Sequence, residues 1–130
     1  MKLARPLALS VALCLDAMSA AHAQGDVEKG AIVFKKCFIC HAVGDGAKVK
    51  VGPPLNDIVD AKAGAFDGYS YSPKLKELAA QGLTWTEENL HAYLLNPKQL
   101  VPGGKMAFPG LKKEEERQNV IAYLKTFSKP

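Results

Sequence analysis

Apolar residues recur at helical spacing in four stretches of this chain, and the alternation that marks strands is nearly absent. The first stretch opens on Asp26, a good N-cap with Glu28 in the following turn, and puts Val27, Gly30, Ala31, Phe34 and Cys37 on one face. A helix starting there would deliver Cys37 and Cys40 at its C-terminal end. The second is signalled by Ser72 as N-cap, Pro73 at the first helical position and Gly82 just beyond its end, with Leu75, Leu78 and Ala79 as its stripe. Thr84-Trp85-Thr86-Glu87 reads as a capping box opening a third helix, which carries Leu90, Tyr93 and Leu94 inward and stops at Asn96-Pro97. The fourth spans about Lys113 to Phe127, with Glu114, Glu115 and Glu116 in its first turn, Lys125 in its last, and Val120, Ile121, Leu124 and Phe127 on one face.

The glycine- and proline-rich segments between these helices, Val43 to Gly68 and Pro97 to Gly110, are expected to be irregular. Loops so long in so small a domain need something to pack against, which a bound group would supply.

Length changes the picture little: 130 residues make one domain and one dominant site. The first 23 residues read as a cleaved secretory signal peptide, with Lys2 and Arg5 before an apolar stretch from Leu7 to Leu15 and Ala21-His22-Ala23 at the cleavage positions. That stretch is too short for the ~20 residues of a membrane span, so no stable membrane insertion is expected and residues 24–130 form the mature domain. Removing Lys2, Arg5 and Asp16 lowers the net charge from +4 to +3, a mild excess whose placement matters more than its size. Export also leaves Cys37 and Cys40 as the only thiols, in a compartment that permits disulfides.

Cys37-Phe38-Ile39-Cys40-His41 has the C-x-x-C-H form. Two thiols one helical turn apart can add to the two vinyl groups of a haem, and the next residue then offers an imidazole to the iron. A zinc ribbon would need a second ligand pair, and beyond this motif the mature chain has no cysteine and only His91. A thioredoxin-like pair would need a strand-helix context, and a structural disulfide leaves His41 unexplained. The occupant of the sixth iron position decides between electron transfer and small-molecule chemistry. Met106, the mature chain's one methionine, lies in the non-helical run Pro102 to Gly110; packing is the usual role of a lone methionine, and His91 is the rival ligand.

These residues resemble class I cytochrome c, in particular the mitochondrial proteins and the bacterial cytochrome c2 group. Gly25 to Gly30, the C-x-x-C-H segment, Val51 to Leu55, Gly82 to Trp85, Tyr93-Leu94 with Asn96 to Lys98, Pro102 to Phe108 and Val120 to Leu124 carry the likeness in order and spacing. It implies an all-α fold of four or five helices wrapped around one covalently bound haem c, with the N- and C-terminal helices crossing. By resemblance, Cys37 and Cys40 attach the haem, while His41 and Met106 are its axial ligands. Pro53 would then fix His41 through its carbonyl, Tyr93 would donate toward the Met106 sulfur, Tyr71 and Trp85 would bind a propionate, and Phe108 would join the haem environment. Gly30 and Phe34 would meet Tyr123 at the helix crossing. Two departures stand out: Ala61, with Lys62 beside it, replaces an arginine of the mitochondrial proteins near a propionate, and Gly104 replaces a threonine.

The resemblance implies a soluble periplasmic monomer that is not an enzyme. It would carry single electrons from a quinol-oxidising cytochrome bc complex to a terminal oxidase or photosynthetic reaction centre. Transient electrostatic docking would use Lys36, Lys50, Lys98, Lys105 and Lys112, with Lys113 nearby. Nucleic acid is not an expected partner, because the aromatics match haem-packing positions and are not interleaved with a basic patch. A haem open to peroxide, carbon monoxide or nitric oxide, and a carrier dedicated to one periplasmic enzyme, are the competing functions.

Overall fold

A computed structural model describes residues 24–130; the segment read as a signal peptide lies outside the described residues. Five helices follow one another: α1 (Val27–Phe34), α2 (Pro73–Ala80), α3 (Glu87–Leu95), α4 (Pro97–Leu100) and α5 (Glu114–Lys125). Among the described residues the one strand-like feature is an isolated antiparallel bridge between Lys62 and Thr84.

Side-chain caps set most helix starts. The Asp26 carboxylate accepts from the Lys29 N–H at 2.9 Å, and the Ser72 hydroxyl accepts from the Leu75 N–H at 3.2 Å, as their positions predict. At α3 the structure corrects the sequence: Thr86, not Thr84, is the N-cap, accepting from the Asn89 N–H at 3.1 Å, while the Asn89 amide reaches back to the Thr84 carbonyl at 2.7 Å. Trp85 is thereby excluded from the helix and its N–H pairs with the Ala61 carbonyl at 2.7 Å. The second correction is α4, one turn inside a segment expected to be irregular; Pro97 ends α3 and starts α4, because proline suits a first helical turn and no later one. Third, α1 stops at Phe34, so Cys37 and Cys40 lie in the turns that follow it.

Helices α1 and α5 cross at close range. A Cβ on Gly30 would stand 2.0 Å from the Asn119 carbonyl oxygen and 2.8 Å from the Tyr123 Cβ, so only glycine admits this approach. Phe34 meets Tyr123 at a ring separation of 5.4 Å, and the Asp26 N–H donates to the buried Asn119 side chain at 2.8 Å. The buried face of α1 is Gly30, Val33 and Phe34; Val27, expected on it, is exposed.

The buried apolar residues form two clusters. One gathers Val33, Phe34, Leu111, Val120 and Leu124, and the other Ala63, Trp85, Leu90 and Ile121. Helix α5 contributes to both, through Val120 and Leu124 on one side and Ile121 on the other. No residue of α2 is fully buried, and α2 packs on loops and not on another helix.

Candidate functional site

A cavity of about 630 Å³ lies against both clusters, lined by Phe34, Val120 and Leu124 from one and by Trp85 and Leu90 from the other. Protein interiors ordinarily pack with few voids larger than a water molecule, and pockets of roughly 300–1,000 Å³ are those that enclose cofactors and ligands. The cavity is a cradle walled by both clusters.

Cys37, Cys40 and His41 line it from the turns after α1, and the backbone there is locked before any ligand is considered. The Cys37 and Phe38 N–H groups both donate to the Phe34 carbonyl, and those of Cys40 and His41 both donate to the Cys37 carbonyl. The thiols form no disulfide. Burial pushes the Cys37 thiol up to about 11, Lys36 partly opposes the shift and Cys40 adds to it, so the group is neutral at neutral pH.

The imidazole of His41 is positioned from both sides. Its Nδ1 lies 2.7 Å from the Pro53 carbonyl, which can only accept, so Nδ1 carries the proton and Nε2 keeps a lone pair for a ligand. A Cβ on Gly52 would fall 2.5 Å from the ring Cε1, so glycine is required against the flat face. Burial lowers the pKa of His41, with the Pro53 bond opposing, which keeps the ring neutral.

Met106 lines the same cavity from the loop between α4 and α5, together with Gly104, Lys105, Ala107 and Phe108. That loop is anchored by the Leu111 N–H donating to the Leu94 carbonyl at 2.7 Å and by Arg117, which donates to the Leu111 and Lys112 carbonyls at 2.8 and 3.0 Å. Tyr71, Trp85 and Tyr93 complete the lining, with the Trp85 and Tyr93 rings 4.8 Å apart and tilted by 34°. Burial raises the pKa of both tyrosines, and the Phe66 N–H that donates to the Tyr71 hydroxyl at 3.1 Å only partly offsets it there. Both phenols therefore remain donors.

Every residue expected in the haem environment lines this cavity: Pro53, Tyr71, Trp85, Tyr93 and Phe108, as do Ala61 and Gly104 at the two departures. His91 does not; it sits on α3 beside Arg117 and Glu114 of α5, which sets it apart from Met106 as a candidate ligand. Among the described residues no three His, Cys, Asp or Glu side chains gather to hold a bare metal ion. The donor set fits a haem: two thiols one turn apart, an adjacent imidazole with a free nitrogen, a thioether from a distant loop, and an apolar lining.

Sequence reasoning missed Tyr69, which lines the cavity two residues before Tyr71 and packs edge-on against it at 4.8 Å. The alternation of Tyr69 and Tyr71 along an extended segment was its available signal. It also missed Asn119, whose side chain accepts from the Asp26 N–H far away in sequence, and Arg117, which donates to carbonyls just outside its own helix.

The chain is similar to many known proteins over nearly all of its described length. The cytochrome c family model matches residues 27–128. A cytochrome c-550 from Ancylobacter novellus is 56% identical over 100 residues, covering 77% of this chain and 94% of its own. A cytochrome c2 from Agrobacterium tumefaciens is 50% identical over 101 residues, covering 78% and 91%. The solved structure of cytochrome c2 from Rhodospirillum centenum superposes with a TM-score of 0.75 at 42% identity, covering 81% of this chain and all of that one. The residues converging on the cavity and the extent of these matches lead to one conclusion: the chain belongs to the cytochrome c family of electron carriers, which hold haem c covalently through the C-x-x-C-H motif that Cys37, Cys40 and His41 form here.

Proposed function

We propose that this protein is an exported, monomeric carrier of single electrons in the periplasm, with His41 and Met106 as the axial ligands of its haem. The observation that carries the reading is the convergence of Cys37, Cys40 and His41 with Met106, from segments 65 residues apart in sequence, on one apolar cavity. When bound, the haem supplies a one-electron iron couple, whose potential a His/Met ligand pair raises.

The protein's part is to keep that couple dry and its ligands fixed. Pro53 and Gly52 hold the His41 ring in one orientation, so Nε2 does not have to reorient between oxidation states. Tyr93 remains a phenol at neutral pH and is the donor assigned to the Met106 sulfur. Tyr71 and Trp85 are assigned to a propionate. Residues 1–23 are assigned as the signal peptide cleaved on export. The electron source would be a quinol-oxidising cytochrome bc complex, and the acceptor a terminal oxidase or photosynthetic reaction centre, reached through transient docking by surface lysines without nucleic acid or membrane insertion. Among the described residues no helix is long and apolar enough to cross a membrane.

The test is an optical spectrum of the reduced holoprotein before and after carbon monoxide is added. A sharp low-spin spectrum that carbon monoxide leaves unchanged is expected, and Met106→Ala should make the iron bind the gas. Binding by the unaltered protein would remove Met106 from the iron and bring the gas-binding alternative forward.

A further inference from the structure

Four of the lysines assigned to docking bend to partners along the surface: Lys36 to Glu116 at 2.9 Å, Lys112 to the Leu95 carbonyl at 3.2 Å, and Lys50 and Lys105 to the Phe38 and Ser70 carbonyls. Such contacts ask only that a flexible side chain turn. Asp57 is different, because its backbone is bent where it makes its contacts. Its φ is +58°, in the left-handed region that residues with a Cβ seldom enter, and Asp60 has +66°.

Asp60 contributes its backbone N–H, which donates to the Trp85 carbonyl at 2.8 Å. Asp57 contributes backbone and side chain together. Its N–H donates to the Phe127 carbonyl at 3.1 Å, and its Oδ1 accepts from the Lys129 N–H at 2.6 Å. The tail that follows α5 is therefore held at two points by one residue. The Lys129 ammonium lies 3.9 Å from Oδ2 on a side chain 88% exposed, and an ion pair so open to water adds little. The two hydrogen bonds make the clasp.

What the clasp holds is the segment that orients His41. Residues 52–56 run beside residues 40–44 as a short ladder. The Gly52 N–H donates to the Cys40 carbonyl at 2.8 Å, the His41 Nδ1 to the Pro53 carbonyl at 2.7 Å, and the Leu55 N–H to the Ala42 carbonyl at 2.9 Å. The Asn56 side chain completes it, accepting from the Gly44 N–H at 2.7 Å and donating to the Gly44 carbonyl at 2.9 Å. Asp57 is the next residue, so it fastens the end of this ladder to the exit of α5, a helix itself fixed by its crossing with α1.

We propose that Asp57 is a positioning residue for the proximal imidazole: by clasping Phe127 and Lys129 it keeps the 52–57 segment, and with it the Pro53 carbonyl, seated on His41. The proposal rests on the reading of His41 as an axial ligand. A hydrogen bond to Nδ1 makes an imidazole the more basic ligand, which favours ferric iron, so a slacker bond raises the reduction potential.

The experiment is proton NMR of the reduced holoprotein, following exchange of the His41 Nδ1 proton with water, together with the reduction potential. Asp57→Gly deletes the carboxylate and suits a φ of +58° better than aspartate does, so the loop keeps its conformation. Lys129→Pro removes the donor from the other side and leaves the loop untouched. Both should exchange the Nδ1 proton about tenfold faster and have a higher potential. Asp57→Asn, which keeps an oxygen acceptor for the Lys129 N–H, should match the unaltered protein, as should Asp60→Gly. Unchanged exchange and potential in both clasp variants, with the Phe127 and Ser128 amides exchanging faster, would overturn the proposal and leave Asp57 a fastener of the tail alone. An Nδ1 proton without the shift imposed by the haem ring in the unaltered protein would overturn the ligand reading, and the proposal with it.

Discussion

The crossing of α1 and α5 and the loop side of the cavity are built on opposite principles. At the crossing, two regular elements approach until backbone meets backbone at Gly30, and the Phe34–Tyr123 pair, the Asp26–Asn119 hydrogen bond and the buried residues Val33, Val120 and Leu124 close the contact. Burying a side chain of this size contributes about 1.5–3 kcal/mol, and Phe34, Val120 and Leu124 also present a face to the cavity. On the loop side, residues 61–72 and 101–110 are irregular, α2 packs on no other helix, and Tyr71, Tyr93, Met106 and Phe108 turn toward the cavity instead of toward one another. The first region is a protein core; the second is the wall of a site.

The largest expected effect follows from that difference. Replacing both attachment thiols, Cys37→Ser/Cys40→Ser, should remove most of the stability typical of a domain this size, on the order of 5–15 kcal/mol. Residues 64–72 and 101–110 should lose their amide protection first in hydrogen exchange followed by mass spectrometry, while α5 keeps a measurable part of its own. Equal loss in both regions would break the comparison, because the crossing would then depend on the cofactor as much as the loops do.

A smaller effect is expected at the crossing itself. In Gly30→Ala the new methyl would meet Asn119 backbone atoms at 2.0 and 2.7 Å, and backbone cannot swing away as a flexible side chain can. The holoprotein should lose about 3 kcal/mol in urea unfolding, with its reduced spectrum unchanged because no cavity residue is touched. A shifted spectrum would show that the crossing and the site are one mechanical unit.

The smallest concerns His91, at the seam of α3 and α5. Burial and then Arg117 hold its pKa below the ordinary 6.5, with Glu114 and Glu87 opposing. The unfolded chain therefore binds a proton there before the folded one does, so the contribution to stability is whole above pH 6.5 and is lost as the pH falls below it. His91→Gln should flatten the acid side of the stability profile, read from urea midpoints. An unchanged slope would assign acid sensitivity to His41 or to the carboxylates.

Much of this molecule is legible in its sequence where the physics is local. Asp26 and Ser72 cap helices by hydrogen bonds to the N–H three residues on, and the two thiols and imidazole of the C-x-x-C-H motif share one turn. The third helix shows where local reading fails. Thr84 and Thr86 both suit a cap, and the choice fell to Thr86 because Trp85 pairs with Ala61, a residue 24 positions earlier. The one-turn α4 was equally hidden, since Pro97 signals both a stop and a start.

The sequence by itself determined that this chain is helical, that it carries a haem-attachment motif, and that Met106 is the one methionine among residues 24–130, because each follows from residue type and position along the chain. The tertiary structure decided that two apolar clusters together wall a cavity of about 630 Å³, and that His91 does not line it. It also decided that Lys36, Lys50, Lys105 and Lys112 bend to partners within the molecule. Those outcomes depend on which atoms meet across tens of residues, and a long flexible side chain such as lysine takes its direction from the partner it finds there.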